Sequence, residues 1–215
     1  MTPHHLVLQA FRQPDALTTL SLTDWDLLVR QARTANLLAS LHALLQRRGL
    51  IGQIPPQPRE HLEWSQVIAE RHHEEVQREV GLIRKALADI GVPIILLKGA
   101  AYVMAKLPHA EGRLFSDIDI LVPKAKLNAA EAALMLHGWA STHHDEYDQR
   151  YYRTWMHELP PMMHIKRMTA IDVHHAILPE TAPLHPDPEK LRAAACPVDG
   201  YDDLRVLAPT DMVLH

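Results

Sequence analysis

The chain has 215 residues, 47% hydrophobic and 22% charged, enough apolar material for one sizeable core or two small ones. Its 22 Lys and Arg against 26 Asp and Glu leave a formal charge of -4, so no global field draws it to nucleic acid or an anionic membrane, and a polyanion has to meet a local patch. A single cysteine, Cys196, excludes an internal disulfide framework and a multi-cysteine metal site. With no long apolar stretch and no basic leader before an apolar core, the expected location is cytoplasmic and no membrane partner is expected.

Taken in chain order, "TDWDLLVRQARTANLLASLHALLQRRG" from Thr23 puts Trp25, Leu28, Val29, Ala32, Leu37, Leu38, Leu41, Leu44 and Leu45 on one helical face. This predicts a helix with Thr23 as N-cap, Asp26 three residues on, and Gly49 as the stop. The proline-rich "LIGQIPPQP" reads as a linker. A second helix is predicted from about Arg59 to Ile90, with the stripe Val76, Val80, Ile83, Leu87, Ile90 and a candidate break at Gly81. Residues 1–90 therefore form an N-terminal helical segment.

After Gly91 the period changes, and residues 91–215 read as a second, α+β part with a small mixed β-sheet flanked by helices. "VPIILLKG" is a buried strand, "AAYVMAKLP" a short helix, "SDIDILVP" a second strand, and "KAKLNAAEAALMLHG" a helix closed by Gly138. "MMHIKR" and "TAIDVHHAI" form a predicted hairpin, with "RYYR" (Arg150 to Arg153) in a strand before it. "LAPTDMVLH" opens a helix capped by Thr210 or Asp211, the expected start of a truncated C-terminal helical part.

The chemistry concentrates in "GRLFSDIDILVP", Gly112 to Pro123. In a strand, Asp117 and Asp119 project to one side while Ile118, Ile120 and Val122 pack on the other. Two carboxylates about 7 Å apart on a rigid element repel each other, and burying them demands a cation. Mg²⁺ takes oxygen ligands of this kind and fills its shell with water and substrate phosphates. A bare pair of this kind also occurs at the water-facing end of a strand, and the neighbours tip the reading towards metal. Lys98 and Gly99 lie at a strand-to-helix turn, where backbone N–H groups favour phosphate and glycine permits close approach. Asp172 alternates with Ile171 and Val173 in a later strand, so a pairing of the two strands brings three carboxylates together. Such a cluster suits phosphoryl transfer to a hydroxyl held near a carboxylate base.

These residues resemble the nucleotidyltransferase superfamily, and within it the bacterial, uncharacterised nucleotidyltransferases with a Leu-Lys-Gly turn and an Arg-x-x-x-Asp-x-Asp-x-Leu-Val strand. Here these are "LLKG" at Leu96 to Gly99 and Arg113 to Val122, and the specific motifs span about Gly91 to Ile177. The resemblance implies Asp117, Asp119 and Asp172 as metal ligands and catalytic carboxylates, with Asp172 as candidate base. It implies nucleotide phosphates at Lys98 and Gly99; Ser116 precedes Asp117 where many members also have a small residue, and Arg113 either contacts phosphate or pairs with a surface acid. Most superfamily members carry Gly-Ser at the turn, whereas here Ala100 follows Gly99. Lys98 then either meets phosphate as a point charge or pairs with a strand aspartate.

The expected reaction is Mg²⁺-dependent transfer of a nucleoside monophosphate from a nucleoside triphosphate such as ATP to an acceptor hydroxyl on a small molecule, protein or RNA. One or two ions are accommodated, Mn²⁺ can substitute, and DNA is not an expected partner. The alternative is a catalytically silent binding or regulatory module of the same fold, such as a toxin–antitoxin partner. Asp119→Asn is expected to abolish Mg²⁺-dependent nucleotide binding and spare the fold, because it removes charge from a crowded cluster.

Sixteen histidines raise a rival metal reading around His157, His164, His174 and His175, a zinc or iron site of imidazole and carboxylate. His174 shares the face of Asp172 and His175 points away from it. "HHEE" from His72 reads as a solvated helix face, and "HHDE" from His143 as loop.

Overall fold

The computed structural model describes residues 6–142, 145–179 and 181–215, so His143 and His144 of the predicted loop lie outside the described residues. The chain divides into two compact units, Met1–Glu75 with Leu107–Leu114, and Val76–Lys106 with Phe115–His215. No helix among the described residues is long and apolar enough to cross a membrane.

The first unit is helical. It contains α1 (Leu6–Arg12), α2 (Leu22–Thr34), α3 (Leu38–Arg47) and the beginning of α4 (Pro56–Ala86). The predicted single helix from Thr23 is two helices, because Asn36 turns the chain with φ of 55°, a left-handed conformation that asparagine tolerates better than most residues. Its cap is Ser21 rather than Thr23: the Ser21 side chain accepts from the Asp24 N–H, satisfying one free donor of the first turn. The apolar face packs largely as patterned, with Trp25, Leu28, Val29, Ala32, Leu38, Leu41 and Leu45 in one cluster that α1 completes through Leu6 and Ala10. The linker is ordered into a 3₁₀ turn at Ile51–Gln53, and α4 already begins at Pro56, where proline costs no helical hydrogen bond. Gly112 (φ +70°) lies so close to the Ala39 backbone that a Cβ would sit 2.4 Å from it, and its carbonyl accepts from the Ser40 hydroxyl at 3.0 Å.

The second unit starts with the end of α4, which runs through Gly81 without a break. Val76, Val80 and Ile83 are buried as predicted, and the stripe continues through Leu87 and Ile90 in a 3₁₀ turn closed by Gly91 at φ +70°. Then follow β1 (Ile94–Leu96), α5 (Lys98–Met104), β2 (Asp117–Leu121), α6 (Leu127–Leu136), β3 (Trp139–Ser141) and α7 (Glu146–Trp155). The remainder is β4 (Met162–His164), β5 (Ala170–His174), α8 (Pro188–Ala194), β6 (Cys196–Val198), β7 (Tyr201–Val206) and α9 (Pro209–Leu214).

The seven strands form one mixed sheet in the order β3-β4-β5-β2-β1-β7-β6, so the expected α+β architecture is present. β2 is parallel to β5 and antiparallel to β1, and β7 runs parallel to β1 on its other side. β4 and β5 form the predicted antiparallel pair.

The predicted "RYYR" strand is instead helix α7. Asp145 caps it by accepting from the Tyr147 N–H, and Arg153 donates to Gln149 one turn earlier. Local capping and i,i+4 pairing outweigh the strand preference of the aromatic residues. α9 begins at Pro209 with Ala208 as its cap, not at Thr210 or Asp211.

Candidate active site

β2 and β5 lie side by side in parallel register, with Asp119 opposite Asp172 and Asp117 opposite Ala170. Ile118, Ile120, Ile171 and Val173, on the opposite faces of these strands, are almost fully buried, so the sheet fixes the direction of the carboxylates. The Leu97 N–H donates to the Asp119 carbonyl at 2.9 Å and carries the β1 pairing one residue past the strand. Lys98 is thereby set beside Asp119, in a left-handed conformation with φ of 46° that disfavours a residue with a Cβ by roughly 1–2 kcal/mol.

Asp119, only 2% exposed, has one oxygen that accepts twice. Lys98 Nζ donates to Oδ1 at 2.5 Å, and His174 Nε2 lies 2.9 Å from the same oxygen. Burial opposes the charge of Asp119 most strongly, but the hydrogen bonds from His174 and Lys98 outweigh it and hold the carboxyl below its ordinary value. Burial likewise works against Lys98, yet Asp119, with Asp117 and Asp172 behind it, holds the ammonium above its ordinary value.

Asp172 lies at the other extreme. Burial, then the negative charges of Glu158, Asp119 and Asp117, push it up to about 6 despite His174. The pocket therefore carries more carboxylate than its internal cations balance, and the excess falls on Asp172.

Asp117 is at the start of β2, where it accepts from the Ser116 hydroxyl at 3.2 Å. Two groups of donors among the described residues have all their ligand atoms within 4.8 Å of one another: Asp119, Asp172 and His174, and then His157, Glu158 and His174. Asp117 is in neither and reaches the cluster through its field on Lys98 and Asp172. Arg113 belongs to the helical unit, where its carbonyl lies 3.0 Å from His73 Nε2.

Gly99 has a steric reason to be glycine. A Cβ there would meet the Phe115 ring at 2.5 Å, at the ring's rooted Cγ rather than a flexible tip. Gly99→Ala should therefore lower stability by about 1–3 kcal/mol, and chemical denaturation of the two proteins measures it.

The histidines separate into different environments. His164 is distant in role from the carboxylates: it is buried edge-on against Trp139 and hydrogen-bonded with Arg167, which in turn clamps the buried Glu79. His175 follows the last residue of β5, and its backbone N–H donates to the His157 carbonyl. His72 is half-buried on α4, less solvated than its pattern suggested. His157 comes to the Asp119 cluster, its ring centroid 5.2 Å from that of His174, and burial followed by the neighbouring His174 brings it down to about 4. His215 joins the same field, lowered by burial and Lys98. Sequence reasoning passed over Glu158 and His215, which no motif marks; the spacing of His174 two residues after Asp172 was the legible signal.

A mixed sheet bearing aspartates on neighbouring central strands, beside a Lys-Gly strand-to-helix turn, has the arrangement of a nucleotidyltransferase core. A family model described as uncharacterised nucleotidyltransferase matches residues 21–215, and the chain belongs to that family. No curated protein and no solved structure matches it significantly.

Proposed function

We propose that the protein transfers a nucleoside monophosphate from a nucleoside triphosphate, ATP among the candidates, to an acceptor hydroxyl, with Mg²⁺ or Mn²⁺ held by Asp117, Asp119 and Asp172. The single observation that carries this reading is the in-register pair Asp119 and Asp172, with Asp172 pushed up to about 6 by burial and surplus negative charge. The donor set fits a hard divalent cation: it is carboxylate oxygen in excess of the local positive charge. When bound, the ion supplies charge neutralisation for the triphosphate.

The chain's own residues supply the rest. Asp172 accepts the proton of the acceptor hydroxyl as its oxygen bonds to the α-phosphorus, the bond to the bridging oxygen breaks, and pyrophosphate leaves. Lys98, with its side chain 44% exposed, offers positive charge to the departing pyrophosphate, with Gly99 in the same turn and Ser116, bonded to Asp117, as further candidate phosphate contacts.

The Lys98–Asp119 ion pair also favours a second reading, a silent module in which lysine permanently neutralises the cluster. Incubating the protein with each labelled nucleoside triphosphate, Mg²⁺ and cell extract separates the two. A labelled acceptor, with stoichiometric pyrophosphate and loss of label in Asp172→Asn, is expected of the enzyme. Triphosphate binding without pyrophosphate release from any of the four nucleotides would establish the silent module instead.

A further inference from the structure

We propose that His157, Glu158 and His174 form a site for one borderline divalent transition-metal ion of the Zn²⁺ class, distinct from the carboxylate site. The inference starts from the two nitrogens of one imidazole. His174 is 1% exposed, and its Nε2 lies 2.9 Å from Asp119 Oδ1, an oxygen that can only accept. In the neutral ring, Nε2 must therefore carry the proton, which leaves Nδ1 with a lone pair.

Glu158 Oε2 lies 3.1 Å from that nitrogen. Two acceptors at this separation repel unless a cation lies between or beside them. No hydrogen bond resolves the contact, because among the described residues the buried Nδ1 of His174 has no hydrogen-bond partner. An orphaned buried imidazole nitrogen costs about 1–3 kcal/mol, so His174 Nδ1 calls for a partner.

The spacing suits a metal. Bonds of 2.0–2.1 Å in tetrahedral geometry separate ligand atoms by about 3.3 Å. Here Glu158 Oε2 lies 3.1 Å from His174 Nδ1 and 3.9 Å from His157 Nε2, bracketing that value. Two imidazoles and one carboxylate favour a borderline ion over Mg²⁺, which wants oxygen throughout. The Asp119–His174 contact supplies the carboxylate partner that orients a metal-binding imidazole through its other nitrogen.

The backbone holds the ligands in place beforehand. Glu158 and His174 form a β-bridge, the Leu159 N–H donates to the Val173 carbonyl, and the His175 N–H donates to the His157 carbonyl. His157 and Glu158 are thus fastened to the end of β5 on both sides. Three protein ligands leave a fourth position for water or substrate.

The test uses the full chain stripped of metal and needs no turnover, so its outcome is separate from that of the transferase reading. Zn²⁺ alone is titrated against a chromogenic competitor, and Co²⁺ alone is followed by its visible ligand-field absorption. One equivalent of Zn²⁺ is expected, with a tetrahedral-type Co²⁺ spectrum, unaffected by millimolar Mg²⁺ and retained in Asp117→Asn. Affinity should fall about tenfold or more in both Glu158→Gln and His157→Ala. Circular dichroism establishes that each variant is folded, and the isosteric Glu158→Gln carries the decision if His157→Ala is not. Equal Zn²⁺ affinity in wild type and Glu158→Gln, or displacement of Zn²⁺ by Mg²⁺, overturns the site.

Discussion

Asp172→Asn is expected to reduce nucleotidyl transfer by ~10²–10⁴-fold, the range for loss of a positioned acid–base group, and at the same time to make the metal-free protein more stable at neutral pH. The two effects have one cause. The carboxyl of Asp172 is raised from 3.8 to about 6 by burial and by Glu158, Asp119 and Asp117. Between about pH 4 and 6 the folded chain keeps a proton that the unfolded chain has released, so stability falls as pH rises through that window. Above it the full penalty is present, about 1–2 kcal/mol once partial solvent access is allowed for. The asparagine has no charge to confine, so the variant should gain nothing below about pH 4 and gain most above pH 6. Thermal unfolding in chelator across this range measures it, and Mg²⁺ should stabilise the wild type more than the variant. A variant less stable than wild type at pH 7 would show that Asp172 is not the strained member of the cluster.

Lys98→Met is expected to act in the opposite sense on stability, lowering it by about 1–3 kcal/mol at neutral pH. The methionine keeps most of the aliphatic stem and deletes the ammonium that donates to Asp119 at 2.5 Å, leaving a carboxylate that is 2% exposed with His174 as its remaining partner. The sign with pH follows from Asp119, whose carboxyl is held below its ordinary value by His174 and Lys98 against burial. Its stabilisation is complete above the ordinary aspartate value and disappears as pH falls through the lower, folded value. The loss in Lys98→Met should accordingly be full at neutral pH and shrink in acid, where wild type and variant converge. Mg²⁺ should restore part of it by replacing the missing charge. Transfer should drop by roughly 10–10³-fold if the same ammonium meets the leaving pyrophosphate. Unchanged stability together with unchanged nucleotide handling would remove Lys98 from the site.

The two variants also revise an expectation about Asp119. Sequence logic treats the aspartates as equivalent members of a crowded set, so that Asp119→Asn relieves repulsion and spares the fold. In the structure Asp119 is the compensated member, bonded by Lys98 and His174, and relief of repulsion is expected at Asp172.

The alternation in "SDIDILVP" by itself determined that Asp117 and Asp119 share a face while Ile118, Ile120 and Val122 are buried, because a strand's period of two is a local property. The 3.6-residue stripe of α4 and the β4–β5 hairpin were legible for the same reason, and the Leu-Lys-Gly and Asp-x-Asp motifs carried the family. Local chemistry misled where a single residue overruled a pattern: Asn36 divided a continuous apolar face into α2 and α3, and Asp145 turned an aromatic, strand-like run into α7. Only the tertiary structure decided which aspartate is paired and which is strained. It did so by setting β2 parallel to β5 in the register that opposes Asp119 to Asp172, by extending β1 so that Lys98 falls beside Asp119, and by bridging Glu158 to His174. Those contacts join residues far apart in the chain, and their energies depend on burial and on distances of a few ångströms, quantities that a one-dimensional pattern does not contain.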